Sequence, residues 1–152
     1  MTVYRIQDEI LIKAPLPEVW DFFSNPRNLQ KITPKDMQFE HVYEPDDKYV
    51  YPGMLLTYKV SPLLGIPLTW VTEINHVEYQ KRFVDAQLKG PFSMWHHIHE
   101  FQELEAGTIA RDILYYGMPF GLFGKLAHSF TVEKQTKAIF KFRKKALSEI
   151  FS

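Results

Sequence analysis

The chain contains no cysteine. Disulfide staples, thiolate nucleophiles and cysteine-ligated metal centres are therefore excluded. It also lacks a charge surplus: 18 Lys and Arg offset 18 Asp and Glu, for a formal net charge of zero. A nucleic-acid binder relying on phosphate neutralisation needs a basic excess, so no nucleic-acid partner is expected. Long apolar runs are missing as well. The longest uncharged stretches, residues 60–72 and 113–124, both contain Pro and Gly. Both fall short of the ~20 residues that a bilayer span requires. The opening Met-Thr-Val-Tyr-Arg-Ile-Gln-Asp-Glu carries charge where a secretory signal is apolar, so a soluble, cytoplasmic protein is expected. Glycine is sparse at seven residues. Its one cluster, Gly117-Met-Pro-Phe-Gly-Leu-Phe-Gly, has the wrong spacing for a phosphate loop and no Lys-Ser/Thr after it.

What the chain has in quantity is aromatic residues: 12 Phe, 8 Tyr and 3 Trp, or 15% of its 152 residues. So many rings in one small domain either fill an aromatic core or line a cavity. No repeat, low-complexity tract or linker interrupts the sequence, and a single domain over residues 1–152 is expected. Residues 4–13 alternate weakly and are rich in Ile and Leu, as a strand would be. Ala14-Pro-Leu-Pro ends that strand, and Pro17 suits the first turn of a helix through Phe23. Asn25-Pro26 stops that helix, and residues 27–32 can form a second short one. Six strand candidates follow: 38–43, 54–60, 68–77, 82–88, 94–104 and 108–116. The short separators between them favour antiparallel hairpins over parallel crossovers. From about Lys125 to Ile150 the chain is free of Gly and Pro, with a stripe of Val132, Ile139, Phe140, Ala146, Leu147 and Ile150. A helix of that length would run roughly 39 Å. The expected class is α+β: a curved six- or seven-stranded antiparallel sheet wrapped around a long C-terminal helix.

Ala14-Pro-Leu-Pro-Glu-Val-Trp-Asp-Phe-Phe, Asn28-Leu, the Tyr51-Pro-Gly-Met turn and the long closing helix resemble the START-like superfamily, also called SRPBCC. This is the helix-grip fold of birch-pollen-type allergens, lipid-transfer domains and polyketide cyclases. The stretches from Gly90-Pro-Phe-Ser-Met-Trp to Glu100-Phe and from Asp112-Ile-Leu-Tyr-Tyr to Gly121 resemble a bacterial, polyketide-cyclase-like subgroup without an assigned reaction. The resemblance covers nearly the whole chain. It implies a domain that binds a small hydrophobic molecule between sheet and helix.

The densest chemistry lies in residues 94–104. Strand alternation puts Trp95, His97, His99, Phe101 and Glu103 on one face, and His96, Ile98, Glu100, Gln102 and Leu104 on the other. Pairing Glu103 with Thr108 closes a four-residue turn and sets Phe101 opposite Ala110, His99 opposite Asp112, His97 opposite Leu114 and Trp95 opposite Tyr116. A turn at Gly90-Pro91 then sets Gln87 opposite His97 and Asp85 opposite His99. His99 is thereby expected between two carboxylates, which favour imidazolium. Three uses compete for this cluster: a self-satisfied buried polar network, the polar end of a ligand cavity, or an acid–base pair of His99 and Asp112. His97-x-His99 also puts two imidazoles on one strand face, and Asp112 could add an oxygen ligand, but no glutamate or third histidine is spaced to complete a known motif, and neither metal nor cofactor is expected.

The apolar counterpart is Tyr58, Trp70, Trp95, Tyr116, Phe120, Phe123 and Phe130, which are either plain core or the wall of a cavity. The glycine cluster at 117–124 would act as a lid. The cations Lys134, Lys137, Lys141, Arg143, Lys144 and Lys145 are expected on the solvent face of the last helix, with an anionic membrane or acidic partner as the other use. His41, His76 and His128 are isolated. The expected function is carriage or sensing of a small, lipid- or polyketide-like ligand. The alternatives are a cyclase, dehydratase or isomerase using His99 and Asp112, and an interaction module with a filled core. A monomer or a homodimer paired through an edge strand is open.

Overall fold

The computed structural model describes all residues except Glu44, residues 62–64 and residues 128–130, with the side chains of Leu122 and Ala127 also left aside. Strand β1 (Val3–Ile12) leads into helix α1 (Leu16–Phe23) and a 3₁₀ helix (Pro26–Ile32). Pro at the first turn starts α1, and Asn25 caps the next helix by accepting from the Arg27 amide at 3.1 Å. A short 3₁₀ turn (Lys35–Met37) follows. Then come β2 (Glu40–Tyr43), β3 (Leu55–Val60), β4 (Leu68–Glu78), β5 (Arg82–Lys89), β6 (Met94–Leu104) and β7 (Gly107–Gly117). The seven strands form one antiparallel sheet in the order β1-β7-β6-β5-β4-β3-β2, so β1 and β2 are its edges.

The β6–β7 register matches the expectation, with His99 opposite Asp112 and Trp95 opposite Tyr116. Its turn is tighter than expected, because Leu104 also pairs with Gly107. Gly107 sits at φ +140, and a Cβ there would lie 2.2 Å from the Ile12 carbonyl oxygen. Gly107→Ala is therefore expected to cost about 2 kcal/mol or more, seen as a lowered thermal midpoint with an unchanged far-UV spectrum.

The β5–β6 register corrects the expectation by two residues: Asp85 lies opposite His97, and Phe83 opposite His99. The cause is the turn, where residues 90–93 form a longer connection than a tight Gly90-Pro91 corner. A slip of two keeps every side chain on its face, so Asp85 still points inward.

Of the helix expected from about Lys125 to Ile150, the described parts are the end of helix α2 (Gly121–Ala127) and all of helix α3 (Glu133–Ile150), and residues 128–130 between them lie outside the described residues. Helix α3 begins at Glu133, an acidic residue suited to the positive end of the helix dipole, after residues 131–132 are wound as a π turn. Its 18 residues run about 27 Å. Its buried face carries Thr136, Phe140 and Leu147. Thr136 returns its hydroxyl to the Val132 carbonyl at 2.8 Å. Among the described residues no helix is long and apolar enough to cross a membrane.

Rings fill the end of the sheet beneath α1. Trp20 meets Phe101 edge-on at 5.6 Å and Phe83 at 6.1 Å, while Phe23 lies 5.1 Å from Phe101. The outer face carries a half-exposed ladder of alternating charge from Glu9 through Arg111, Glu100 and Arg82 to Glu78.

Candidate functional site

Beyond the ring-filled end, sheet and helix α3 do not close on each other. A cavity of about 220 Å³ lies between them. Its apolar wall includes Phe39, Tyr58, Trp70, Phe83, Phe92 and Trp95 from the sheet side and Ile139 and Phe140 from α3. One end is polar, where Asp85, His97, His99 and Arg143 reach the wall. Asp112 lies beneath that end and holds it together.

The polar end is a ring of alternating charge. His97 donates from Nε2 to Asp112 Oδ1 at 2.8 Å, and Arg143 Nη1 donates to the same oxygen at 3.1 Å. His99 Nε2 pairs with Asp85 Oδ2 at 2.6 Å, and its Nδ1 lies 3.2 Å from Asp112 Oδ1. The expected position of His99 between two carboxylates is thus present, although the Asp85 contact runs diagonally across the slipped register. Burial penalises imidazolium at His99, yet its hydrogen bonds to Asp112 and Asp85 and their charges outweigh that cost and push its pKa up to about 9. His97 goes the other way, because burial and the neighbouring His99 charge hold it below its ordinary value. Burial opposes ionisation of both carboxylates. The His99 hydrogen bond and the charges of His99 and Arg143 still bring Asp85 below its usual value, and Arg143 together with the hydrogen bonds of the two imidazoles brings Asp112 well below. At neutral pH the cluster holds two carboxylates, one imidazolium and one guanidinium around a neutral His97.

That charge state decides what the group can do chemically. His99 is already protonated, so it cannot accept a proton from a ligand, and His97 is the one imidazole that could. Asp85, His97 and His99 offer ligand atoms within 4.8 Å of one another. A metal ion there would have to displace the proton that His99 shares with two carboxylates and sit beside a guanidinium, so the donor set does not suit one.

Rings continue the polar end into the wall. Trp70 meets Trp95 edge-on at 5.0 Å, His97 lies 3.9 Å from His99, and His99 stacks on Phe83 at 4.3 Å. The stacked Phe83 face favours the imidazolium. Tyr58 shares a 2.9 Å hydrogen bond with Thr72, and burial pushes its phenol pKa far up, so it stays neutral.

Several sequence expectations are corrected here. Gln87 is not beside the histidines: it donates to the Phe92 carbonyl at 2.8 Å and accepts from the Phe92 amide, closing the β5–β6 turn. Tyr116 is core rather than wall, 1% exposed and stacked on Tyr4 at 5.5 Å. Phe120 and Phe123 are 83% and 80% exposed, because the chain turns outward through a left-handed Phe120 (φ 66) into α2. Met118 and Val132 reach the wall in their place. The 117–124 segment is not an open glycine loop, since α2 begins at Gly121. Phe130 and His128 lie outside the described residues.

Arg143 was expected in solvent and instead turns inward to the polar end, its side chain only 11% exposed. Its spacing carried the signal: positions 136, 140, 143 and 147 recur at intervals of four, three and four, the period of a helix's inward face. Next to it Lys144 pairs with Asp8 at 2.7 Å, so two adjacent cations dock α3 onto facing aspartates of β1 and β7.

No protein-family model and no curated protein matches the chain. Solved structures do. TTHA0849 from Thermus thermophilus aligns over 96% of this chain and 95% of its own, at a TM-score of 0.69 and 18% identity. CV1439 from Chromobacterium violaceum aligns over 97% and 96%, at 0.71 and 11% identity. Ara h 8.0201 aligns over 96% and 98%, at 0.61 and 12% identity. The fold is a helix grip. At these identities the likeness speaks for the helix-grip architecture alone, and the chemistry of this one rests on its own residues.

Proposed function

We propose that this helix-grip protein binds a compact, mostly apolar small molecule in the sheet–helix cavity, as a carrier or sensor. The observation that carries the reading is the cavity itself, about 220 Å³ with an aromatic and aliphatic wall and a single charged end. A dry cavity of about 150 Å³ already admits benzene, while drug-sized ligands occupy about 300–1,000 Å³. A molecule of one or two rings fits between those limits. The same cavity counts against an interaction module with a filled core.

Native mass spectrometry of gently purified protein is expected to retain such a molecule, or to take up an added two-ring hydrocarbon at one per chain. Ile139→Trp should remove that uptake by filling the space from α3, at a packing cost of about 1–3 kcal/mol that leaves the chain folded. Uptake unchanged in Ile139→Trp would place binding elsewhere.

One observation favours an enzymatic second reading. His97 is neutral, and its Nε2–H is tied to Asp112, so the electron pair on Nδ1 is free to take a proton from a bound ligand. In that reading the base of an isomerase or dehydratase is His97, not the His99 that residue types alone suggested.

A further inference from the structure

The chain leaves the cavity wall after Met118, forms α2, and is back at the wall by Val132, one residue ahead of α3. Phe120 and Phe123 are the most exposed rings among the described residues, and Leu126 is exposed three positions further on, a neighbour of Phe123 on the helix surface. Single exposed apolar residues are ordinary, but three large ones within seven residues form a patch. Phe120 also holds a left-handed φ of 66, so exposure and backbone both disfavour a ring there. Gly124 lets α2 close onto its own lead-in, since a Cβ would lie 2.0 Å from the Pro119 carbonyl oxygen.

Helix α3 continues the surface with charge. Lys134, Ala138, Lys141, Lys145 and Ser148 recur at intervals of four, three, four and three, and all five are exposed. This stripe lies opposite the inward face of Thr136, Phe140 and Leu147. Its three lysines make no ion pair among the described residues, whereas Lys137 pairs with Glu133 and Lys144 with Asp8. The acids of α3, Glu133 and Glu149, stand only at its two ends.

A patch of Phe and Leu thus leads within eight residues into a row of lysines that no acid neutralises. A bilayer with acidic lipids is complementary to it, apolar within and anionic at its rim. Three side chains fall well short of the about 800 Å² per partner that a standard protein interface buries. We propose that the protein docks on anionic bilayers, with Phe120, Phe123 and Leu126 entering the acyl boundary and Lys134, Lys141 and Lys145 on the headgroups. Because α2 bridges two wall residues, docking brings the cavity to the lipid. Docking rests on surface residues and not on what the cavity holds, so it stands even if the uptake test above fails.

Co-flotation with vesicles tests it, using phosphatidylcholine alone and its two-to-one mixture with phosphatidylglycerol. The mixed vesicles are expected to bind about 100-fold more tightly, about fivefold for each of the three lysines. Lys134→Gln/Lys141→Gln/Lys145→Gln should bring the two compositions to within about tenfold of each other. Phe120→Ser/Phe123→Ser should weaken binding to the mixed vesicles by about tenfold or more, with a wild-type urea midpoint because both rings are exposed. No binding to either vesicle overturns the proposal, as does equal binding to both or a preference that the glutamine variant keeps. Binding that the serine variant retains in full overturns it too, since the contact would then be adsorption by charge alone. Light scattering covers a second copy as occupant: a wild-type dimer that the serine variant renders monomeric would make the patch a self-interface and also overturn docking on lipid.

Discussion

Replacing Asp112 by alanine is expected to lower the stability of the fold at pH 7 by about 3–5 kcal/mol, read as a fall in the urea midpoint. One oxygen of this residue receives His97 Nε2 at 2.8 Å and Arg143 Nη1 at 3.1 Å, with His99 Nδ1 at 3.2 Å. Removing it strands a guanidinium and half-strands an imidazolium at a site that water barely reaches. Domains of this kind are stable by only about 5–15 kcal/mol, so one substitution consumes much of the margin. The loss belongs to the stranded charges more than to the missing contacts. The double variant Asp112→Ala/Arg143→Met should therefore be less destabilised than the sum of its single variants, by about 1–3 kcal/mol. Strict additivity in that cycle would show that Asp112 and Arg143 are not coupled, and the picture of α3 docked through a buried ion pair would have to be given up.

The parts of this site that were legible in the sequence are those set by local geometry. The turn at Glu105-Ala-Gly and the alternation along residues 94–104 together pin the β6–β7 register, so His99 and Asp112 could be set opposite each other from spacing alone. The β5–β6 turn has no comparable marker. Gln87 bends into that turn to satisfy the backbone of Phe92, a contact that a hairpin template does not anticipate, and the partners of Asp85 slid by two residues. Arg143 was lost for a different reason. Residue type argued for solvent and helical period argued for the interior, and the buried Asp112 opposite it decided the matter. Phe120 and Phe123 show the converse error: large rings near a cavity were assigned to its wall, whereas the outward turn before α2 exposes them. Hydrophobicity gives a residue's preference but not the direction of the backbone that carries it.

Stability should also trace a dome in pH with its summit near 6.5, and the alkaline side is the stronger test. The folded His99 pKa is raised to about 9 from an ordinary 6.5. Between those values the folded state holds a proton that the unfolded chain has released. The contribution of His99 is therefore complete below pH 6.5 and is lost as pH rises toward 9, for about 3 kcal/mol in all. His97 has the opposite sign. Its folded pKa lies below 6.5, so the unfolded chain binds the proton first and stability declines as pH falls beneath that value. Asp85 and Asp112 act in the same direction at lower pH, since their folded values are depressed and their contribution disappears as acid finally protonates them. Urea unfolding at pH 5, 6.5, 8 and 9 resolves both limbs. His99→Gln keeps a hydrogen-bonding side chain without the titration, so it should be less stable at pH 6.5 and nearly flat from there to pH 9. A wild-type curve equally flat over that interval would mean that His99 is not held as imidazolium. The neutral ring of charge at the polar end of the cavity would then rest on the wrong protonation state.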